Sequence, residues 1–280
     1  MKFHDLESIP TWEWPPDAAE IILEVLQDRR AVPTDRLSAS QLAGDIVVID
    51  DRLANALLHI LVDGNETETL RAQAAISFGP VLELTDDEVE ELDEWDKEMG
   101  PDVSPAVVQK IRQTLHQVFL DALAPKLVRR RALEGSIRSP QEWHKGAVRT
   151  AYADADADWR LTAVFCMEFI GGFESEILES LDSPDKDVRF HAVVAAGNWQ
   201  VEEAWEHVAR LTSAGTTDKD LLLAAIEAVA NIRPHKARAI LGPLLESDDE
   251  EIYGAVNEAL EYVRITGRLD REPRSQKRAD

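Results

Sequence analysis

Three acids alternate at Asp154, Asp156 and Asp158, the spacing at which a calcium loop sets its first ligands. Such a loop needs glycine at its sixth position for the sharp turn and glutamate at its twelfth to close the cage. Trp159 and Phe165 stand there instead, so calcium chemistry is not expected. The histidines are His4, His59, His116, His144, His191, His207 and His235. No two lie four apart, and no His-Glu dyad occurs, so no helix offers the paired imidazoles of a zinc site. Cys166 is the sole cysteine; it allows no internal disulfide, and no base stands beside it to make a thiolate. Gly171-Gly172 reads as a helix end rather than a phosphate cradle. Lys126 to Arg131, with Arg138 and Lys145 nearby, could hold a small anion or a phosphorylated partner. We read that run as a charged outer helix face neutralising adjacent acids. No catalytic, cofactor-binding or metal-ligating residue is expected, and no cofactor.

The chain as a whole is strongly acidic. Its 280 residues include 54 acids and 30 bases, a formal net charge of -24. At long range that charge repels a phosphate backbone and attracts cationic proteins. A soluble protein also carries such charge as a repulsive coat, which is the ordinary alternative. No stretch approaches the roughly 18 apolar residues of a membrane span, and the first seven residues hold no signal core. A cytoplasmic address is the expectation that remains.

A repeat organises the sequence. With Arg189 as reference, equivalent positions fall at Arg71, Arg129, Arg160, Leu222 and Tyr253. From Arg129 onward they follow one another at 31, 29, 33 and 31 residues. One position earlier stand Leu70, Val128, Trp159, Val188, Leu221 and Ile252. Three later stand Ala74, Ala132, Ala163, Ala192, Ala225 and Val256; six later stand Ser77, Gly135, Cys166, Ala195, Ala228 and Ala259. These offsets share one face of a helix, and small residues along it let a neighbouring helix approach closely. Asp156, Asp185, Asp218 and Asp249 recur four before the reference, with Asp158, Asp187, Asp220 and Glu251 two further on. Four recurrences at helix starts read as N-caps and dipole partners rather than metal ligands. Partner helices precede them, with stripes such as Leu53, Leu57, Leu58 and Leu61, or Ile177, Leu178 and Leu181.

The segment from Ile177 to Arg189 resembles a HEAT repeat, particularly the short bacterial kind also found in phycobilin lyases. Gly242-Pro243-Leu244-Leu245 resembles that family's first helix with its proline kink. The resemblance covers roughly residues 50 to 264. It implies an all-α chain, a right-handed α-α superhelix or solenoid of about six hairpins, acting as a protein–protein scaffold. A phycobilin-lyase-like enzyme or enzyme subunit is the alternative it implies, and an adaptor meeting the protein parts of a nucleic-acid machine a third. Deoxyhypusine hydroxylase is also HEAT-like, but holds iron with repeated His-Glu pairs that are missing here. HEAT-like DNA glycosylases need a basic groove that this charge balance opposes. In the family an Asp six before the reference Arg bridges repeats; only Asp154 with Arg160 keeps that pair. The polar ladder is therefore expected to be broken, leaving apolar stacking to hold the C-terminal units.

Residues 1–49 are expected to form a terminal cap, with Trp12 and Trp14 docking on the first apolar face. Residues 50–264 are the repeat array, interrupted by an acidic insertion at 83–104. Residues 265–280 are expected to be a flexible basic tail. Between 83 and 98 the insertion holds ten acids and one base. Val89, Leu92 and Trp95 share helical spacing within it, flanked by Asp86, Asp87, Glu90 and Glu91. These seven are candidate contacts for a protein with a basic surface; the plainer reading is a solvated loop. The second candidate surface is a concave face around Arg160, Arg189 and Asn198. The expected partner is another protein, with no direct nucleic-acid binding and no membrane.

Overall fold

A computed structural model describes residues 2–84, 101–213 and 218–269. Their regular structure is helical, apart from one isolated parallel bridge between Asp50 and Asp102. They divide into two compact units, Met1–Ala147 and Val148–Asp280. The acidic segment from Thr85 to Gly100 and the tail beyond Leu269 lie outside the described residues.

In the first unit, α1 (Phe3–Leu6) precedes the hairpins α2 (Ala18–Gln27)/α3 (Pro33–Leu42) and α4 (Asp51–Val62)/α5 (Glu68–Ile76). The short α6 (Gly79–Leu84) follows, then the hairpin α7 (Pro105–Leu120)/α8 (Lys126–Ser136). First helices stack on first helices, α2 on α4 and α4 on α7. Second helices stack on second, α3 on α5 and α5 on α8. The buried stripes meet between the rows: Leu53, Leu57 and Leu61 on α4, and Ile111 and Leu115 on α7, are fully enclosed. Gly135 shows how close the second helices come. A Cβ built there would lie 2.4 Å from the Ala75 carbonyl oxygen.

Helix α9 spans Glu142–Tyr152. In the second unit follow α10 (Ala157–Cys166), α11 (Glu174–Ser180), α12 (Lys186–Asn198), α13 (Trp205–Ser213), α14 (Lys219–Ile232), α15 (Pro234–Leu241) and α16 (Glu250–Leu269). The second helices form a row, α10 on α12, α12 on α14 and α14 on α16; α11, α13 and α15 pack as their hairpin partners. Where the resemblance implied a proline kink, α15 ends at Leu241 and a 3-10 turn over Gly242–Glu246, with Pro243 in its first turn, completes that arm. The last helix continues beyond 264 to Leu269.

Every second helix begins three residues before its reference position: Glu68, Lys126, Ala157, Lys186, Lys219 and Glu250. The acids four before cap as expected. Asp156 accepts from the Asp158 N–H, Asp185 from Asp187 and Val188, Asp218 from Leu221, and Asp249 from Glu251 and Ile252.

The N-terminal stretch, expected as a terminal cap, is built on a hairpin of its own. Pro33 stands three before Arg36, and Arg36 Nε donates to the Leu26 carbonyl ten residues back. Arg71 makes the same bond to Leu61 and Arg129 to Phe119. The α2/α3 hairpin is thus one more unit in the same register. Trp14 packs on its core and donates to the Leu6 carbonyl, but Trp12, expected to dock beside it, is 80% exposed.

The expected Asp154–Arg160 pair is replaced. Asp154 accepts from the Asp156 N–H, while Arg160 lies over the Tyr152 ring and 4.0 Å from Glu179. Nor is the C-terminal part left to apolar stacking alone. Lys219 Nζ sits 2.8 Å from Asp249 and 2.6 Å from Glu251, joining α14 to the next repeat.

Ala192 and Ala195 are fully buried where α12 meets its neighbours. Ala195→Leu is expected to destabilise the protein by about 1–3 kcal/mol, because added methylenes force helices apart. Leucine at the exposed Glu179 changes far less. Thermal melts check this, and a Tm for Ala195→Leu equal to the parent's would contradict the packing.

Candidate protein-binding groove

The three C-terminal second helices leave a groove of about 1080 Å³ on the side away from their hairpin partners' core. The register builds it column by column. One after the reference come Phe190, Leu223 and Gly254; with Val194 and Ala255 they make an apolar floor. Phe190, Val194, Leu223 and Ala255 are half-buried, so the floor is reachable. Two before the reference come Asp187, Asp220 and Glu251, the acids at the helix starts. Five after come Glu227 and Glu258. All five carboxylates are exposed and rim the floor from both ends. From Asp220 to Glu227 is seven residues, about 10 Å along the helix.

The rim is weakly neutralised. Lys219 occupies Glu251 as well as Asp249, and its hydrogen bonds to Asp249 first and Glu251 second hold the lysine above its ordinary pKa. Lys186 lies 4.0 Å from Asp187. Asp220, Glu227 and Glu258 form no ion pair among the described residues. Next to Phe190, the His191 ring meets Phe190 and Phe165 edge-on. His191 is fixed by Glu168, 2.6 Å from its Nδ1.

The expected site residues fare unequally. Val89, Leu92, Trp95, Asp86, Asp87, Glu90 and Glu91 lie outside the described residues. Arg160 and Arg189 stand at the same end of the neighbouring helices α10 and α12, where Arg189 donates to the Ser183 carbonyl. Asn198 ends α12, nine residues or about 13 Å further on, and donates to the Glu168 carbonyl. The structure does not gather these three into one site. Phe190, Leu223, Glu227 and Glu258 were not singled out by sequence, although the columns one and five after the reference were there to be read.

The family model for HEAT repeats matches residues 173–261, the stretch that builds this groove. That stretch carries HEAT repeats. No curated protein matches the sequence. Among solved structures, a chain of the Kap95p–RanGDP complex is similar at 16% identity and a TM-score of 0.47, over 97% of this chain. This chain spans only 36% of that one. Human deoxyhypusine hydroxylase with glycerol is similar at 16% identity and a TM-score of 0.40, over 94% of this chain and 90% of its own. YibA of E. coli is similar at 13% and 0.47, over 98% and 91%.

Elsewhere among the described residues the hairpins bring together a pair that looks catalytic. His144 Nε2 lies 3.1 Å from Ser136 Oγ. The bonding around it runs against nucleophile activation. Ser136 donates its hydroxyl hydrogen to the Leu133 carbonyl, and His144 Nδ1 accepts from the Gln141 N–H. Nε2 therefore carries the proton and donates to serine, the reverse of what a general base needs. Both side chains are buried, and burial holds His144 down at about 4. Among the described residues no three His, Cys, Asp or Glu side chains are grouped to hold a metal, and no helix is long and apolar enough to cross a membrane.

Proposed function

We propose that the chain is a non-catalytic scaffold or adaptor whose HEAT repeats hold another protein, and that the partner presents a basic surface. The groove on α12, α14 and α16 carries this reading: an accessible apolar floor between exposed carboxylates suits a polypeptide better than a small reacting molecule. The formal charge of -24 supports the same choice, since it steers cationic proteins inward and nucleic acid away. The reading includes a cytoplasmic address.

The test is affinity capture with the full chain from native lysate, followed by kinetics with the purified partner. Association is expected to slow as salt rises, because exposed charges more than a Debye length of about 8 Å apart are screened. Neutralising Asp86, Asp87, Glu90 and Glu91 together shows whether the acidic insertion shares in this steering. Trp95→Ala shows whether an aromatic anchor there slows dissociation. A chain that retains no protein above a blank column, or one whose partner associates at the same rate at every salt concentration, would overturn the reading.

A further inference from the structure

We infer that the groove between α12, α14 and α16 receives an extended peptide segment of another protein, basic with interspersed large apolar side chains. This rests on the scaffold reading and names what that scaffold grips. The floor and rim argue for the two parts separately. Phe190, Val194 and Leu223 are half-buried apolar side chains facing open space, and burying them is favourable only against other apolar groups. Asp220, Glu227 and Glu258 stand exposed beside that floor and form no ion pair among the described residues. An anionic or uncharged occupant would desolvate them without return, whereas lysine or arginine would complete them.

Dimensions decide the conformation. Seven residues of helix separate the two acid columns, about 10 Å between backbones before the side chains narrow the gap. A second helix, about 10 Å across with its side chains, would ride on the rims and leave the floor empty. An extended chain is slimmer and reaches it. Packed helices lie about 8–10 Å apart, so crossing three of them takes about six extended residues at roughly 3.3 Å each. Apolar side chains on alternate residues would meet the floor, and long basic side chains would reach the rims along their methylene stems.

The chain's own segments fit less well. Residues 83–98 hold ten acids and one base, so the rim repels them. Residues 270–280 supply Arg271, Arg274, Lys277 and Arg278 but no large apolar side chain for the floor.

The probe is a fluorescein-labelled peptide of alternating lysine and leucine, followed by anisotropy against the full chain. Its counterpart replaces every leucine by serine at the same charge. The double variant Glu227→Lys/Glu258→Lys is expected to weaken lysine–leucine binding by about tenfold or more. Glu203→Lys/Glu206→Lys makes the same change in net charge outside the groove, and is expected to stay within about twofold. Phe190→Ala is expected to speed dissociation. Three results with these peptides and variants would each overturn the inference, and a fourth comes from the natural partner. Equal weakening by both double variants would mean that only the overall field attracts the peptide. Equal binding of the serine peptide would mean that the floor is not used. A dimer in sedimentation that Glu227→Lys/Glu258→Lys dissolves would make a second copy the occupant. If a natural partner binds the groove variant as it binds the parent, this site is wrong while the scaffold reading stands.

Discussion

Glu66→Gln is expected to cost about 3 kcal/mol of stability, the lower end of what breaking a buried ion pair takes. Arg36 is 8% exposed, and its guanidinium is clasped from two sides. Nη1 and Nη2 donate to the two Glu66 carboxylate oxygens at 2.8 and 2.9 Å, while Nε and Nη2 reach the Leu26 carbonyl. Glutamine keeps one acceptor but removes the charge, leaving a buried cation with a carbonyl and half a partner. Arg29, 3.8 Å from the same carboxylate, loses a smaller, more exposed interaction. The hydrogen bond from Arg36 also holds the Glu66 carboxyl below its ordinary value of 4.5. The pair's contribution is therefore fully present above that pH and is lost as the carboxylate is protonated on acidification. Urea unfolding at neutral pH and again near pH 3 measures both effects. The difference between parent and Glu66→Gln should be large in the first and shrink in the second. Equal stability at neutral pH would show that the pair holds nothing. The paired replacement Arg36→Met/Glu66→Leu should recover much of the loss, since it leaves neither charge buried.

That same arginine marks the limit of what the sequence displayed. The repeat was legible wherever a small residue stood six after the reference, because helices in close contact restrict those positions. Gly135, Cys166, Ala195 and Ala228 are buried there, and their spacing revealed the hairpins from α4 to α16. The α2/α3 hairpin has Leu42 in that column, and Val32 where the second helices from α10 onward are capped by an Asp. With both marks missing, only Arg36, Ala39 and Ala43 kept the register, too few to stand out. The N-caps were legible because a cap is a local bond between residues two or three apart. The Arg160 contacts were not, since Tyr152 and Glu179 reach it by packing that no spacing prescribes.

The groove was hidden for a different reason. Its floor and rim are surface positions, and a free surface tolerates many residue types. Val194, Glu227 and Glu258 share one column, yet nothing in their chemistry says so. Asp187, Asp220 and Glu251 were noticed as partners of helix dipoles. Their second position, along the edge of a trough, appears only when three helices lie side by side. The two roles are compatible, because a carboxylate at a helix start points outward as well as toward the first turn.

Acidification is expected to remove about 3 kcal/mol of stability through His144 alone, in a window that opens well above the range in which carboxylates titrate. Its imidazole is 1% exposed, sandwiched against the Trp143 ring at 3.7 Å and bonded through both nitrogens. A second proton would have to sit on Nδ1, which already accepts from the Gln141 N–H. Burial lowers the folded pKa from 6.5 to about 4, and the nearby His116 adds to the lowering. In the unfolded chain the same ring titrates near its ordinary value. Between the two values the unfolded state therefore binds the proton and the folded state does not. Stability is complete above pH 6.5, falls by up to about 1.4 kcal/mol per unit below it, and levels off near pH 4. His144→Gln keeps a polar side chain in place and removes the titration. Other groups, His4 with its raised pKa among them, shift both proteins alike. The quantity to measure is the stability of the parent minus that of the variant, from urea unfolding at intervals from pH 7 to pH 4. That difference should decline steadily as the pH falls. A difference that stays flat through this range would mean that His144 is protonated in the folded protein, and the bonding assigned to Ser136 and Gln141 would have to be reversed.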